Sequence, residues 1–401
     1  MPNMIYSPSE QTMWEAVGRR ATIHATDEEI NSKYTSRDWR IVTEANREQL
    51  PNFVEALRRP GWMELRPFYQ RRLRWDVERQ SKLIESFVMN IPVPPLFVYE
   101  SDFAKYEVMD GQQRINTIRE FYSNGLELAG LEQWPELNGK TYSKLPSEIK
   151  KGIDRRSISY IVLLKESAGS SPEEQMMVKQ QVFERLNTGG VELTRQEIRN
   201  CLFQGEFNSF LVDLATNALH RAAWKLPPFT SSEKDLPSQQ LLSNKLYSKM
   251  ADVEIVLRFF ALRHADRYTR GLQGFLDLYM HRARKFTTED LTWLRAMFNE
   301  TLDLASAIYG ALLFRPWDVR VGTWEADPHV AFADAVMVGI SRNLSVKDRL
   351  VSSKALIVER TKELFVRHAD DGLFMGRGNT KGDVVGRIEE YVHMLAEAIR
   401  V

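Results

Sequence analysis

The chain has 401 residues, with 54 Lys and Arg balanced by 54 Asp and Glu, 43% hydrophobic residues and one cysteine, Cys201. That length predicts two domains with full cores, and a mean hydropathy of −0.38 is that of an ordinary soluble protein. Zero net charge excludes a global attraction to nucleic acid, and a lone cysteine excludes an internal disulfide or a cysteine-rich zinc site.

The first residues, MPNMIYSPSEQTMW, lack a charged start followed by an apolar run, which is not the pattern of a secretory signal. No segment approaches the length of a membrane span, so the expected setting is the cytoplasm, without a membrane partner. Residues 9–19 have a helical period, DWRIV (38–42) reads as a strand, and REQLPNFVEALRR (47–59) as an amphipathic helix. MEL (63–65) is strand-like, and Pro67 forces an extended backbone before it. A helix is predicted over 77–90, where Val77, Leu83, Ile84, Phe87 and Val88 recur at helical spacing. IPVPP (91–95) is a stiff linker, LFVYE and KYEVMD are strands, and RRSISYIVLL (155–164) is the longest β-branched run, hence a central strand. Residues 171–186 then form a helix that stops at Asn187-Thr188-Gly189-Gly190, and Thr194 with Glu197 makes a capping box for the next one. From about residue 206 strand signals nearly vanish and helical periods follow one another. The expected fold class is therefore α+β. An N-terminal helical extension (1–34) and a small mixed sheet with helices (35–205) precede an all-α domain (206–401).

One stretch, KYEVMDGQQRINTIREFY (105–122), is a strand that turns at a glycine straight into a helix. Such a junction gathers the first amides of the helix in one concavity at its positive end, a natural anion site. Gly111 permits close approach, Gln112 and Gln113 add donors, and Arg114 offers a planar fork for phosphate oxygens. Asp110 is repulsive there unless a cation such as Mg²⁺ intervenes or the carboxylate orients water. The plain alternative is that Asp110 caps the helix and Arg114 pairs with a surface acid. YQRRLRW (69–75) packs three arginines into four positions between aromatics, suiting a polyanion clamp or a charged strand edge. Glu184 and Asn187 lie three apart on one helical face, where both oxygens could reach one hard cation, or Asn187 could simply cap the helix. GRGNTKGD (376–383) lacks a Ser or Thr after Lys381, so it fails the phosphate-loop pattern and reads as a surface connection.

In this order the pieces resemble domain-of-unknown-function family 262, the N-terminal part of GmrSD-type restriction enzymes and related phage-defence proteins. The matches are Pro67 with Tyr69-Gln70-Arg71 and Trp75, then Pro92 and Pro94, Asp110 to Arg114, and Val182 to Thr194. The family is similar in element order to the ParB/sulfiredoxin-like fold. The resemblance implies that Gly111, Gln112, Gln113 and Arg114 bind the phosphates of a nucleoside triphosphate, with Gln70 and Arg71 facing them. It also implies that Asp110, Arg114 and Arg71 serve catalysis, and that Glu184 and Asn187 hold Mg²⁺. Many relatives continue into a His-Asn-His nuclease domain. Here the seven histidines are well separated, and Glu148-Ile149-Lys150 lacks the upstream Asp of the E-x-K nuclease context, so a nuclease is not expected from this chain alone. The implied function is a nucleoside-triphosphate-binding and hydrolysing component of a DNA-directed defence or restriction system. The alternatives are a non-catalytic DNA-binding or modification-sensing module, a partner-dependent nuclease subunit, or a toxin-like or scaffold protein whose motif only shapes the fold. Nucleotide is the expected ligand; DNA, a separate nuclease or defence subunit and a second copy of the chain remain open as partners.

Overall fold

The computed structural model describes residues 6–14, 26–28, 31, 43–64, 75–164, 181, 182, 185, 194–203, 205–234 and 237–400. Its fold class is α+β, with contacts dividing it into two compact units, residues 21–193 and residues 1–20 together with 194–401. A short helix α1 (Pro8–Thr12) belongs to the second unit, although it begins the chain.

The first unit is built on a five-stranded mixed sheet. Strand β1 (Thr43–Gln49) runs directly into helix α2 (Leu50–Ala56), followed by β2 (Met63–Glu64), α3 (Val77–Met89), β3 (Leu96–Asp102), β4 (Lys105–Asp110), α4 (Gln112–Tyr122), α5 (Ser147–Asp154) and β5 (Ser157–Leu163). The strand order is β1-β5-β3-β4-β2. β1 pairs antiparallel with β5, β5 parallel with β3, and β3 and β4 form a hairpin closed by Phe103-Ala104. β5 is an interior strand, as its β-branched run requires, while the middle place falls to β3. Arg47, Glu48 and Gln49, which read as the start of a helix, close β1 instead, opposite Ser159, Ile158 and Ser157. Their polar sequence carries no strand signal of its own; pairing with the apolar β5 decides their conformation. The expected strand over 38–42 lies outside the described residues.

Leu96, Val98, Val108, Ile158, Tyr160 and Val162 form one buried face of this sheet. Phe53 from α2, Ile84 and Phe87 from α3, and Ile115, Ile118 and Phe121 from α4 cover it. Ile115 and Ile118 recur three apart, so α4 lays one stripe on the sheet, and each contributes about 2–3 kcal/mol by burial. Asp76 caps α3 through the Arg79 amide at 2.7 Å, and Asn90 in the left-handed conformation ends it.

The second unit is almost wholly helical: α6 (Arg195–Leu202), α7 (Glu206–Leu214), α8 (Ala218–Ala223), α9 (Ala251–Leu262), α10 (Gly271–Ala283), α11 (Thr288–Tyr309), α12 (Val330–Ser341), α13 (Lys354–Arg367) and α14 (Lys381–Ala398). Short helices at Gln239–Ser243, Lys245–Ser248 and Lys347–Ser352 and a small hairpin, Trp317–Asp318 with Thr323–Trp324, connect them. From Ala331 to Ser341 helix α12 is buried throughout, between α9, α11 and α14. Gly339 makes that possible, because a Cβ there would stand 2.5 Å from a ring carbon of Tyr391 on α14. The Thr194–Glu197 capping box forms as its sequence suggests. Helix α6 packs within the helical unit, however, because its buried Arg199 bonds Asp277 at 2.6 Å and Glu254 at 2.9 Å, on α10 and α9. The loop over 376–380 is pinned rather than slack: Arg387 donates to the Gly378 carbonyl at 2.5 Å, and the Tyr268 hydroxyl to that of Asn379 at 2.6 Å.

Glu10 anchors the chain's beginning into this unit. Its carboxylate is buried and accepts from both terminal nitrogens of Arg263 (3.2 and 3.3 Å), from His264 Nε2 (3.0 Å) and from the Tyr279 hydroxyl (2.8 Å). The Trp14 indole donates to His264 Nδ1 at 3.1 Å, which leaves the ring proton on Nε2, facing Glu10. Burial works to raise the Glu10 pKa, but Arg263 and the hydrogen bond from His264 outweigh it and hold the carboxyl at about 2.

Candidate functional site

The strand–glycine–helix junction sits at the end of β4. Gly111 has φ +95°, a conformation that other residues rarely adopt, and it starts α4 with no side chain capping the helix. A Cβ at this position would lie 2.3 Å from Leu96 Cδ2, the first residue of the neighbouring strand β3. Glycine is thus required twice, by backbone conformation and by the closeness of β3. From Ile115, whose amide bonds the Gly111 carbonyl at 3.0 Å, the helix satisfies its own donors. The positive end of α4 lies at this turn.

Around this turn the structure places four of the expected site residues beside Gly111. Asp110 closes β4 with its carboxylate about one-third exposed, and Arg114 lies buried on the first turn of α4. Their side chains meet, Nη2 to Oδ2, at 2.6 Å. The other guanidinium nitrogen, Nη1, donates to the carbonyls of Pro94 and Pro95, the latter at 3.1 Å. Asp110 therefore neither caps the helix nor leaves Arg114 to a surface acid; the two pair with each other across the turn. Gln112 and Gln113 are half-buried. Gln113 Oε1 accepts the backbone amide of Trp75 at 3.3 Å, which ties the end of the arginine-rich stretch to the start of α4. Trp75 itself packs against the sheet-unit core.

Gln70, Arg71, Glu184 and Asn187 lie outside the described residues. Among the described residues, no group of three or more His, Cys, Asp and Glu is placed to hold a metal ion. Reasoning from sequence missed three participants, the carbonyls of Pro94 and Pro95 and the methyl of Leu96. The proline linker and the strand were both legible; that their backbone and first side chain close over Gly111 was not.

Residues 58–204, just over a third of the chain, match the family described as the GmrSD restriction endonuclease, N-terminal domain. This segment is a GmrSD-type N-terminal domain. It takes in the whole Asp110–Arg114 turn, the arginine-rich stretch and helix α6. That family is named for restriction endonucleases, and its match at residues 58–204 suggests a restriction or defence setting. No curated protein and no solved structure shows a significant match to the chain. Among the described residues, no helix is long and apolar enough to cross a membrane.

Proposed function

We propose that the GmrSD-type domain binds a nucleoside triphosphate and hydrolyses it with Mg²⁺, as the nucleotide-driven part of a DNA-directed restriction or defence system. The observation that carries this reading is the start of α4, which no side chain caps, behind a left-handed Gly111 where a Cβ would press into Leu96. A positive helix end with a side-chain-free approach is the geometry that phosphate groups favour. The Gln113–Trp75 link supports it further, because it fixes the residue that follows Arg71, Arg72 and Arg74 to this same helix end.

In this reading the amides of Gln112, Gln113 and Arg114 meet phosphate oxygens, with Gln70 and Arg71 approaching from the facing stretch. Asp110, about one-third exposed beside the turn, holds the metal or orients the attacking water in this reading. Glu184 and Asn187 complete the proposed metal set. Mg²⁺, when bound, neutralises phosphate charge; the chain's own task is to position the triphosphate.

A hydrolysis screen of the four ribonucleoside triphosphates, with and without DNA, on wild type and Asp110→Ala tests this. Turnover of at least one triphosphate, reduced by the substitution, is the expected result. Wild-type protein that neither binds nor hydrolyses any of them overturns the reading.

A further inference from the structure

Arg114 has the side chain of the turn best suited to a phosphate, and the fold directs it inward. Its side chain is only 11% exposed. Nη2 meets Asp110 Oδ2 at 2.6 Å, while Nη1 is shared between the Pro94 and Pro95 carbonyls. These oxygens belong to the segment entering β3 and to the last residue of β4, the two strands that flank the junction. A Cβ on Gly111 would lie 3.2 Å from Nη2, so the guanidinium lies directly beneath the turn backbone.

We propose that Arg114 is a positioning residue that holds the anion-binding turn in shape and neutralises Asp110, and that it does not touch the phosphate. The proposal rests on the triphosphate reading above and assigns this residue's role within it. An ionised Asp110 next to the opening amides of α4 repels an oxyanion. A guanidinium bonded to that carboxylate cancels the repulsion and also covers two carbonyl dipoles, leaving the positive helix end as the field an anion meets. A fork is needed because one group must reach oxygens on both sides of the turn; a lysine ammonium cannot span them.

Inorganic tripolyphosphate in EDTA, titrated calorimetrically, separates this role from direct contact, since it needs neither base nor metal. Arg114→Met alone is expected to weaken binding roughly tenfold or more, by leaving Asp110 without its cation. The double substitution Asp110→Asn with Arg114→Met is expected to return to within about threefold of wild type, because the two changes remove one coupled pair. If Arg114 contacted the phosphate, the double variant would stay as weak as the single one, and the proposal would fall. A measurement on the unsubstituted protein guards against misfolding of Arg114→Met. In arginine-labelled wild type, the Arg114 guanidinium resonances are expected to show hindered rotation before tripolyphosphate is added and to keep their positions at saturation. Free rotation, or a shift on binding larger than those of the Gln112 and Gln113 amides, overturns the role. Should wild type bind no tripolyphosphate, the triphosphate reading fails. The pairing is then decided by whether rotation is hindered and whether the two substitutions are non-additive in the unfolding midpoint.

Discussion

A methyl group on Gly111 has nowhere to go. It would press into Leu96 at 2.3 Å and would force an L-residue to φ +95°. Gly111→Ala is therefore expected to cost about 2–4 kcal/mol, the sum of left-handed strain and overpacking. Thermal unfolding of the sheet unit measures that cost, and calorimetry with a triphosphate should show lost binding beyond it. The glycine, the aspartate and the arginine of the turn were all visible in the sequence, since a strand period meets a helix period there. The partners of Arg114 were not visible. Two of them are backbone carbonyls some twenty residues earlier, and a carbonyl has no letter in the sequence.

Among elements, helix α6 shows how a single buried cation fixes an allegiance. It lies inside the segment matching the GmrSD family, yet Arg199 joins it to α9 and α10. Arg199→Met removes the buried cation that Glu254 and Asp277 share, and is expected to cost the helical unit about 3–5 kcal/mol by calorimetric unfolding. The α6 capping box was legible because Thr194 and Glu197 are local; the ion pairs were not, because their partners lie 55 and 78 residues away. β1 gives the same lesson in the sheet, where a polar strand takes its conformation from β5.

The helical unit also carries a pH dependence whose sign follows from two groups. His220 is fully buried and neutral; burial lowers its pKa to about 4 from the ordinary 6.5. Between those values the unfolded chain binds a proton that the folded one refuses, so stability falls as the pH drops through this window. Glu10, at about 2 instead of 4.5, gives the unfolded state a second proton to gain below pH 4.5. Each group is worth up to about 3 kcal/mol at neutral pH. The midpoint of chemical unfolding is expected to decline in two stages, from pH 6.5 to 4 and again from 4.5 downward. Glu10→Gln should flatten the second stage while lowering stability at pH 7; an unchanged slope below pH 4.5 would refute the role of Glu10.

On the scale of the molecule, the helical unit is assembled from two separated pieces of chain, and the sheet unit is the insertion between them. Removing residues 1–14 deprives Arg263 of the carboxylate that compensates it and His264 of both its partners. Differential scanning calorimetry of that deletion should show the helical-unit transition lowered by about 5 °C or more, with the sheet-unit transition in place. The α+β class followed from hydrophobic periodicity, because helical periods replace alternating ones after residue 206. The membership of the first helix did not, since nothing near Glu10 announces a counterion at Arg263, 253 residues on.

That separation has a kinetic consequence. A ribosome adding about 5–20 residues per second reaches Arg263 roughly 13–50 s after Glu10 has emerged. By the end of that interval every residue of the GmrSD-type domain has been synthesised and can fold, while the anchor segment has had nothing to close upon. The helical half therefore completes last, by recapturing a strand of chain made at the outset, and variants of Glu10 or Trp14 should slow maturation of the nascent protein more than they slow its refolding from denaturant.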